Sequence, residues 1–189
     1  LRAARHGITG VYTDAARMMA ETRPDIVHLL TPPGSHRALV EIAAAHKVNA
    51  YVEKPFASNE SDAVAMVAAA RAAGIQLCPG HNRLFDPPFV EALRRVRAGE
   101  IGRVVCVRAE QGYAYEAVAR SARVPWSYLG DWGVFENLIP HPLYMVTHFL
   151  REPGEPLVVG FNLGRIREAG VEEIRVLIPS REAVGEVTL

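Results

Sequence analysis

The stretch that decides the fold is "DIVHLLTPPGSHRALVEIAAAHKVNAYVEKP", Asp25 to Pro55. It opens with a short apolar run, Asp25 to Leu30, containing β-branched residues and suited to a strand buried on both faces. "TPPGSH" breaks that run. From Ser35, a candidate N-cap, the apolar positions Leu39, Ile42 and Ala43 recur at helical spacing. A second apolar run, Asn49 to Val52, then leads straight into Glu53, Lys54 and Pro55: an acid, an amine and a helix breaker. Strand, helix and strand at this spacing predict a right-handed crossover between parallel strands.

The same rhythm continues downstream. "SNESDAVAMVAAARAAG" is an Ala-rich helix with Ser58 or Asn59 as its cap and Gly74 as its stop, and "IQLCPG", Ile75 to Gly80, is a third strand. The fold class is therefore α/β: a partial Rossmann-type, doubly wound parallel sheet with helices on both faces. Past Gly80 the pattern changes. "FDPPFVEALRRVRAGEIG" is an amphipathic helix opened by Pro87 and Pro88, "RVVCVRAEQ" alternates as a half-buried strand, and "VFENLIPHPLYMVTHFL" is helical with prolines in its first turns. "PLVVGFNLGRI", "EEIRVLIPS" and "AVGEVTL" are strand runs divided by Gly, Pro and Ser. These predict an α+β domain with an open, mostly antiparallel sheet, giving two partial domains, 1–82 and 83–189. Both ends read as cut. The chain opens at Leu1 without an initiator Met, in what reads as the last turns of a helix, and closes inside a strand run.

Composition narrows the function. Lys plus Arg and Asp plus Glu number 21 each, so there is no basic excess to track a nucleic-acid backbone, and no apolar run reaches the roughly 20 residues that cross a bilayer. Neither nucleic acid nor membrane is an expected partner. Cys78 and Cys106 form no CxxC and sit in strand runs, which reads as two free, buried thiols in a reducing, cytoplasmic setting.

Ligands of an open parallel sheet bind outside the carboxyl ends of its strands, where "TPPGSH", "EKPF" and "GHNRLFDP" leave the sheet. Pro55 restricts Lys54 to extended backbone, so the amine is aimed beside a carboxylate. An aimed lysine of this kind can donate to a hydroxyl or carbonyl. "VYTD" at Val11, "PDIVHLLTPPGSH", "YVEKPFA" and "PGHNRLFDPPF", in this order and spacing, resemble the Gfo/Idh/MocA family of NAD(P)-dependent oxidoreductases.

The resemblance implies a nucleotide-binding domain followed by a substrate domain, with NAD or NADP as cofactor. Lys54 matches the family lysine that bonds the nicotinamide ribose and the reacting hydroxyl; Glu53 would hold its loop and reach the cofactor. Thr31, Pro32, Pro33 and His36 would line the cofactor cleft. The family's GxGxxG pyrophosphate turn is not in this sequence, so the chain on its own is expected to bind dinucleotide poorly. The discriminator between NAD and NADP is not in the sequence either.

Further along, family members place an Asp and a His four residues apart on one helix face. Here "GVFENLIPHPLY" puts His141 on the His and Asn137 on the Asp, while Tyr144 replaces an acid often found three residues after the His. Asn can hydrogen-bond an imidazole but supplies no charge to an imidazolium. Lys54, His141 and Asn137 are the candidate catalytic residues. Arg83, Trp126 and Tyr144 are candidate substrate contacts, Trp126 within an aromatic loop suited to a sugar-sized pocket. His148 lies seven residues after His141, and with no third ligand in sight no metal site is expected. The expected activity is hydride transfer between NAD(P) and a hydroxyl-bearing carbon of a sugar, cyclitol or related polyol, in a homo-oligomer joined through the C-terminal sheet. Asn137 and Tyr144 motivate the alternative: a non-catalytic or regulatory relative that binds dinucleotide or sugar without turnover.

Overall fold

The computed structural model describes residues 2–112, 134–162 and 172–189. The chain divides into two units, Leu1–Gly80 and His81–Leu189, so the boundary read at 82 falls two residues into the second.

The first unit runs α1 (Arg2–Arg5), α2 (Ala15–Thr22), β1 (Ile26–Leu29), α3 (His36–Ala45), β2 (Asn49–Val52), α4 (Glu60–Ala73) and β3 (Leu77–Pro79), with a 3-10 turn at Pro33–Ser35. Its sheet has the order β1-β2-β3 and is parallel throughout, with Val27 opposite Ala50 and Ala50 opposite Leu77. Alternation along the strands sorts the side chains. Val27, Leu29, Ala50 and Val52 share one face, and there they form a core with Met19 of α2, Val40 and Ala43 of α3 and Met66 of α4. Each large side chain buried in that core contributes about 1.5–3 kcal/mol. Local chemistry fixes the helix ends. The Arg17 N–H donates to the Asp14 carboxylate at 2.9 Å to start α2, and the Asp62 N–H donates to Asn59 Oδ1 at 2.9 Å to start α4, so Asn59 and not Ser58 is the cap. Gly74, at φ 68°, ends α4 in the left-handed region that favours glycine.

The opposite face of this sheet carries His28, Tyr51 and Cys78 in register, with the rings of His28 and Tyr51 stacked at 5.1 Å. The core helices α2, α3 and α4 pack on the other side, which corrects two expectations of the sequence. Helices are not described on both faces, and Cys78 is exposed instead of buried. Cys106 is exposed as well, on the outward side of an alternating strand.

The second unit begins with a 3-10 turn at Asn82–Phe85 and continues through α5 (Pro87–Arg97), β4 (Cys106–Glu110), α6 (Val134–Leu138), α7 (Pro140–Thr147), β5 (Leu157–Phe161), β6 (Glu173–Pro179) and β7 (Val184–Thr188). The sheet order is β4-β7-β6-β5. Only the β4–β7 pair is parallel, as a mostly antiparallel sheet allows. Ile174, Val176, Ile178 and Val187 pack from one face against Phe135, Leu138, Val146 and Leu150. The approach is closest at Gly185. A Cβ there would lie 2.6 Å from Val146 Cγ1 and 2.9 Å from Leu150 Cδ1, so α7 rests on bare backbone. On the outward face Leu157, Val159, Phe161 and Leu177 are exposed beside the Arg175–Glu173 and Arg108–Glu186 ion pairs. Among the described residues no helix is long and apolar enough to cross a membrane.

Candidate active site

In the first unit, backbone bonds at the carboxyl ends of the strands hold the exit of β2. The Glu53 N–H donates to the Leu29 carbonyl at 2.9 Å, and the Gly80 N–H donates to the Val52 carbonyl at 2.6 Å. Gly80 is needed for this. A Cβ at that position would sit 3.0 Å from the Val52 carbonyl oxygen and 3.1 Å from Glu53 Cα, both backbone atoms that cannot swing away. The sequence reading assigned Gly80 no part in the site, although a Pro-Gly pair at a strand end was the available signal. Lys54 follows, half-buried, joined to Pro55 by a cis peptide bond. Burial pushes its ammonium below the ordinary lysine value, and the Glu53 carboxylate opposes that shift.

His36 has no exposed surface. Its Nε2 lies 2.8 Å from the Thr31 carbonyl and its Nδ1 lies 3.1 Å from the Phe56 carbonyl, so the ring ties the loop after β1 to the loop after β2. This corrects the reading of His36 as a cleft-lining residue, because a ring with both nitrogens engaged and no surface has nothing left for a cofactor. Thr31 and Pro32 are exposed and Pro33 is half-buried beside it. The Thr31 hydroxyl is 2.7 Å from that of Ser35, which in turn donates to the Pro32 carbonyl.

In the second unit the expected single helix is interrupted. Asn137 lies in α6 and His141 in α7, with Ile139 between them, because Pro140 has no N–H to continue the ladder. The break is mild. Ile139 N–H still reaches the Phe135 carbonyl at 2.9 Å, and Leu143 N–H reaches the Ile139 carbonyl at 3.1 Å. Pro140 occupies the start of α7, where a missing donor does no harm. Both His141 and Asn137 are half-buried.

Tyr144 is the centre of this region, and it is only 5% exposed. Its hydroxyl lies 2.7 Å from His141 Nδ1 and 3.5 Å from Asn82 Oδ1, and the Arg83 N–H donates to it at 3.2 Å. His81 stacks on its ring at 4.2 Å. A tyrosine so enclosed is a support for His141, which corrects its reading as a substrate contact. Burial, then the neighbouring His148, push the His81 imidazole below its ordinary value, which favours the neutral ring for stacking. The Arg83 guanidinium is directed to Asp86 at 3.6 Å and stays about half exposed. Trp126 lies outside the described residues. His148 Nδ1 is bonded to the Tyr144 carbonyl at 2.7 Å, and among the described residues no three His, Cys, Asp or Glu side chains gather as a metal site.

Comparison with known proteins agrees with this geometry. Residues 2–81 match the model of an oxidoreductase family with an NAD-binding Rossmann fold. The chain is 43% identical over 96 residues to a D-apiose dehydrogenase of Paraburkholderia graminis, covering 51% of this chain and 26% of that protein. It is 28% identical over 116 residues to the scyllo-inositol 2-dehydrogenase (NADP(+)) of Bacillus subtilis, covering 61% and 35%. Among solved structures, an oxidoreductase from Agrobacterium radiobacter in complex with NAD+, L-tartaric acid and magnesium superposes with a TM-score of 0.83 at 29% identity, over 99% of this chain and 54% of that one. The chain thus spans between about a quarter and a half of the length of these relatives. With its parallel β1-β2-β3 sheet and the Glu53-Lys54-Pro55 exit, the chain belongs over residues 2–81 to the Gfo/Idh/MocA family of oxidoreductases with an NAD-binding Rossmann fold.

Proposed function

We propose that the protein carrying this chain moves a hydride between NAD(P) and a hydroxyl-bearing carbon of a sugar, cyclitol or related polyol. The observation that carries this reading is Lys54, a half-buried cation fixed at the carboxyl end of a parallel strand inside the region that matches the family. The residues present suit the ribose and nicotinamide half of a dinucleotide. Thr31 offers an exposed hydroxyl, Glu53 an acceptor and Lys54 a donor, on loops that His36 locks together. The cofactor, when bound, takes up or gives back the hydride. Lys54 polarises the substrate oxygen, His141 exchanges its proton, Asn137 orients the hydroxyl, and Arg83 and Trp126 contact the substrate. The dehydrogenases of D-apiose and scyllo-inositol among the relatives support the polyol class. A homo-oligomer joined through the outward face of the second sheet completes the proposal.

The test is full-length protein with NAD+ or NADP+ and a panel of sugars and cyclitols, read at the absorbance of the reduced nicotinamide. Lys54→Met is expected to lower kcat by about 10²–10⁴-fold, the range of a lost acid–base group. Cofactor binding without turnover across the panel favours the non-catalytic alternative, for which Asn137 and Tyr144, standing where acids are expected, are the specific observation. Turnover indifferent to Lys54 would reject the assignment of that residue.

A further inference from the structure

The hydroxyl of Tyr144 makes three polar contacts with neighbours whose chemistry is already constrained. The backbone N–H of Arg83 can only donate, and Oδ1 of Asn82 can only accept. The remaining neighbour, Nδ1 of His141 at 2.7 Å, can do either. A phenolic oxygen has one proton to give. If that proton goes to Asn82, all three contacts are satisfied only when His141 Nδ1 carries a proton and donates it to Tyr144. If it goes to His141, the Asn82 contact is empty. The hydroxyl is held in place for this role by the enclosed ring and the stacked His81.

We propose that Tyr144, oriented by Asn82, is the positioning residue that holds His141 as its Nδ1–H tautomer and leaves the Nε2 lone pair to act as the base. Tyr144 thereby performs the part for which an acidic partner is expected, fixing the tautomer through a neutral oxygen. The inference rests on the proposed role of His141 in proton exchange. It adds two residues, Tyr144 and Asn82, neither of which touches the reacting atoms.

The experiment is imidazole 15N NMR on the full-length protein, with His141 assigned by the loss of its signals in His141→Gln. The wild type is expected to show the Nδ1–H pattern. Asn82→Leu, at an exposed position, leaves the tyrosine proton no acceptor but His141, so the pattern moves to Nε2–H and kcat falls about 10-fold or more. Asn82→Asp keeps an acceptor there and retains the Nδ1–H pattern. Tyr144→Phe gives a mixture of tautomers. A wild-type Nε2–H pattern, or a pattern unmoved by Asn82→Leu, would overturn the assignment. Should no polyol be turned over, the proposed activity fails, while the 15N pattern still decides the part of Tyr144.

Discussion

Two side chains in the first unit show how burial turns ordinary groups into devices. Lys54 loses part of its water and its ammonium becomes easier to deprotonate, while Glu53 next to it holds the charge in place. His36 goes further, giving up all of its surface to bond two backbone carbonyls from separate loops. Replacing it with a ring of similar volume and no nitrogen, His36→Phe, is expected to destabilise the N-terminal unit by about 1–3 kcal/mol, the range for leaving a buried polar group unpaired. Urea unfolding followed by circular dichroism measures it, and a loss below about 0.5 kcal/mol would mean that the two bonds do not hold the loops. Lys54 was legible in the sequence because Pro55 constrains it through covalent geometry, which needs no partner. The role of His36 was not, because its partner Phe56 lies 20 residues away and nothing local announces it.

At the level of elements, most of the architecture followed from period and punctuation. The run "NAYV" became β2 at Asn49–Val52, and "EEIRVLIPS" became β6 with every second residue buried. Failure came where the outcome depended on what covers a surface. Cys78 and Cys106 lie in correctly placed strands, yet each faces outward, and alternation alone does not say which face is the inner one. Pro140 divided the expected catalytic helix into α6 and α7, a covalent effect that the sequence did display. Gly185 sets how near α7 lies to the sheet. Gly185→Ala is therefore expected to destabilise the second unit by about 1–3 kcal/mol through overpacking. Pairing it with Val146→Ala, which removes the nearest methyl, is expected to destabilise by less than the sum of the two single changes in a double-mutant cycle. Strict additivity would show that the two groups do not meet.

Considered whole, the molecule joins two kinds of sheet with different demands. The parallel sheet is built from consecutive strands, so each finds its neighbour soon after it is made. The second sheet presents Leu157, Val159, Phe161 and Leu177 outward, beside arginines and glutamates of both signs, a surface suited to a second copy of the same chain. Val159→Lys combined with Leu177→Lys is expected to shift the full-length protein to a smaller species in sedimentation velocity with its circular dichroism unchanged. An unaltered sedimentation coefficient would place the contact elsewhere. The parallel pairing of β4 with β7 carries a consequence for synthesis. Arg108 and Glu186, which face each other across that pair, are 78 residues apart. At translation rates of about 5–20 residues per second, β4 leaves the ribosome roughly 4–16 s before its partner exists. During that interval the first unit is free to fold, while β4 waits with an open edge, so the nascent chain is most vulnerable to misassociation in the stretch between its two sheets.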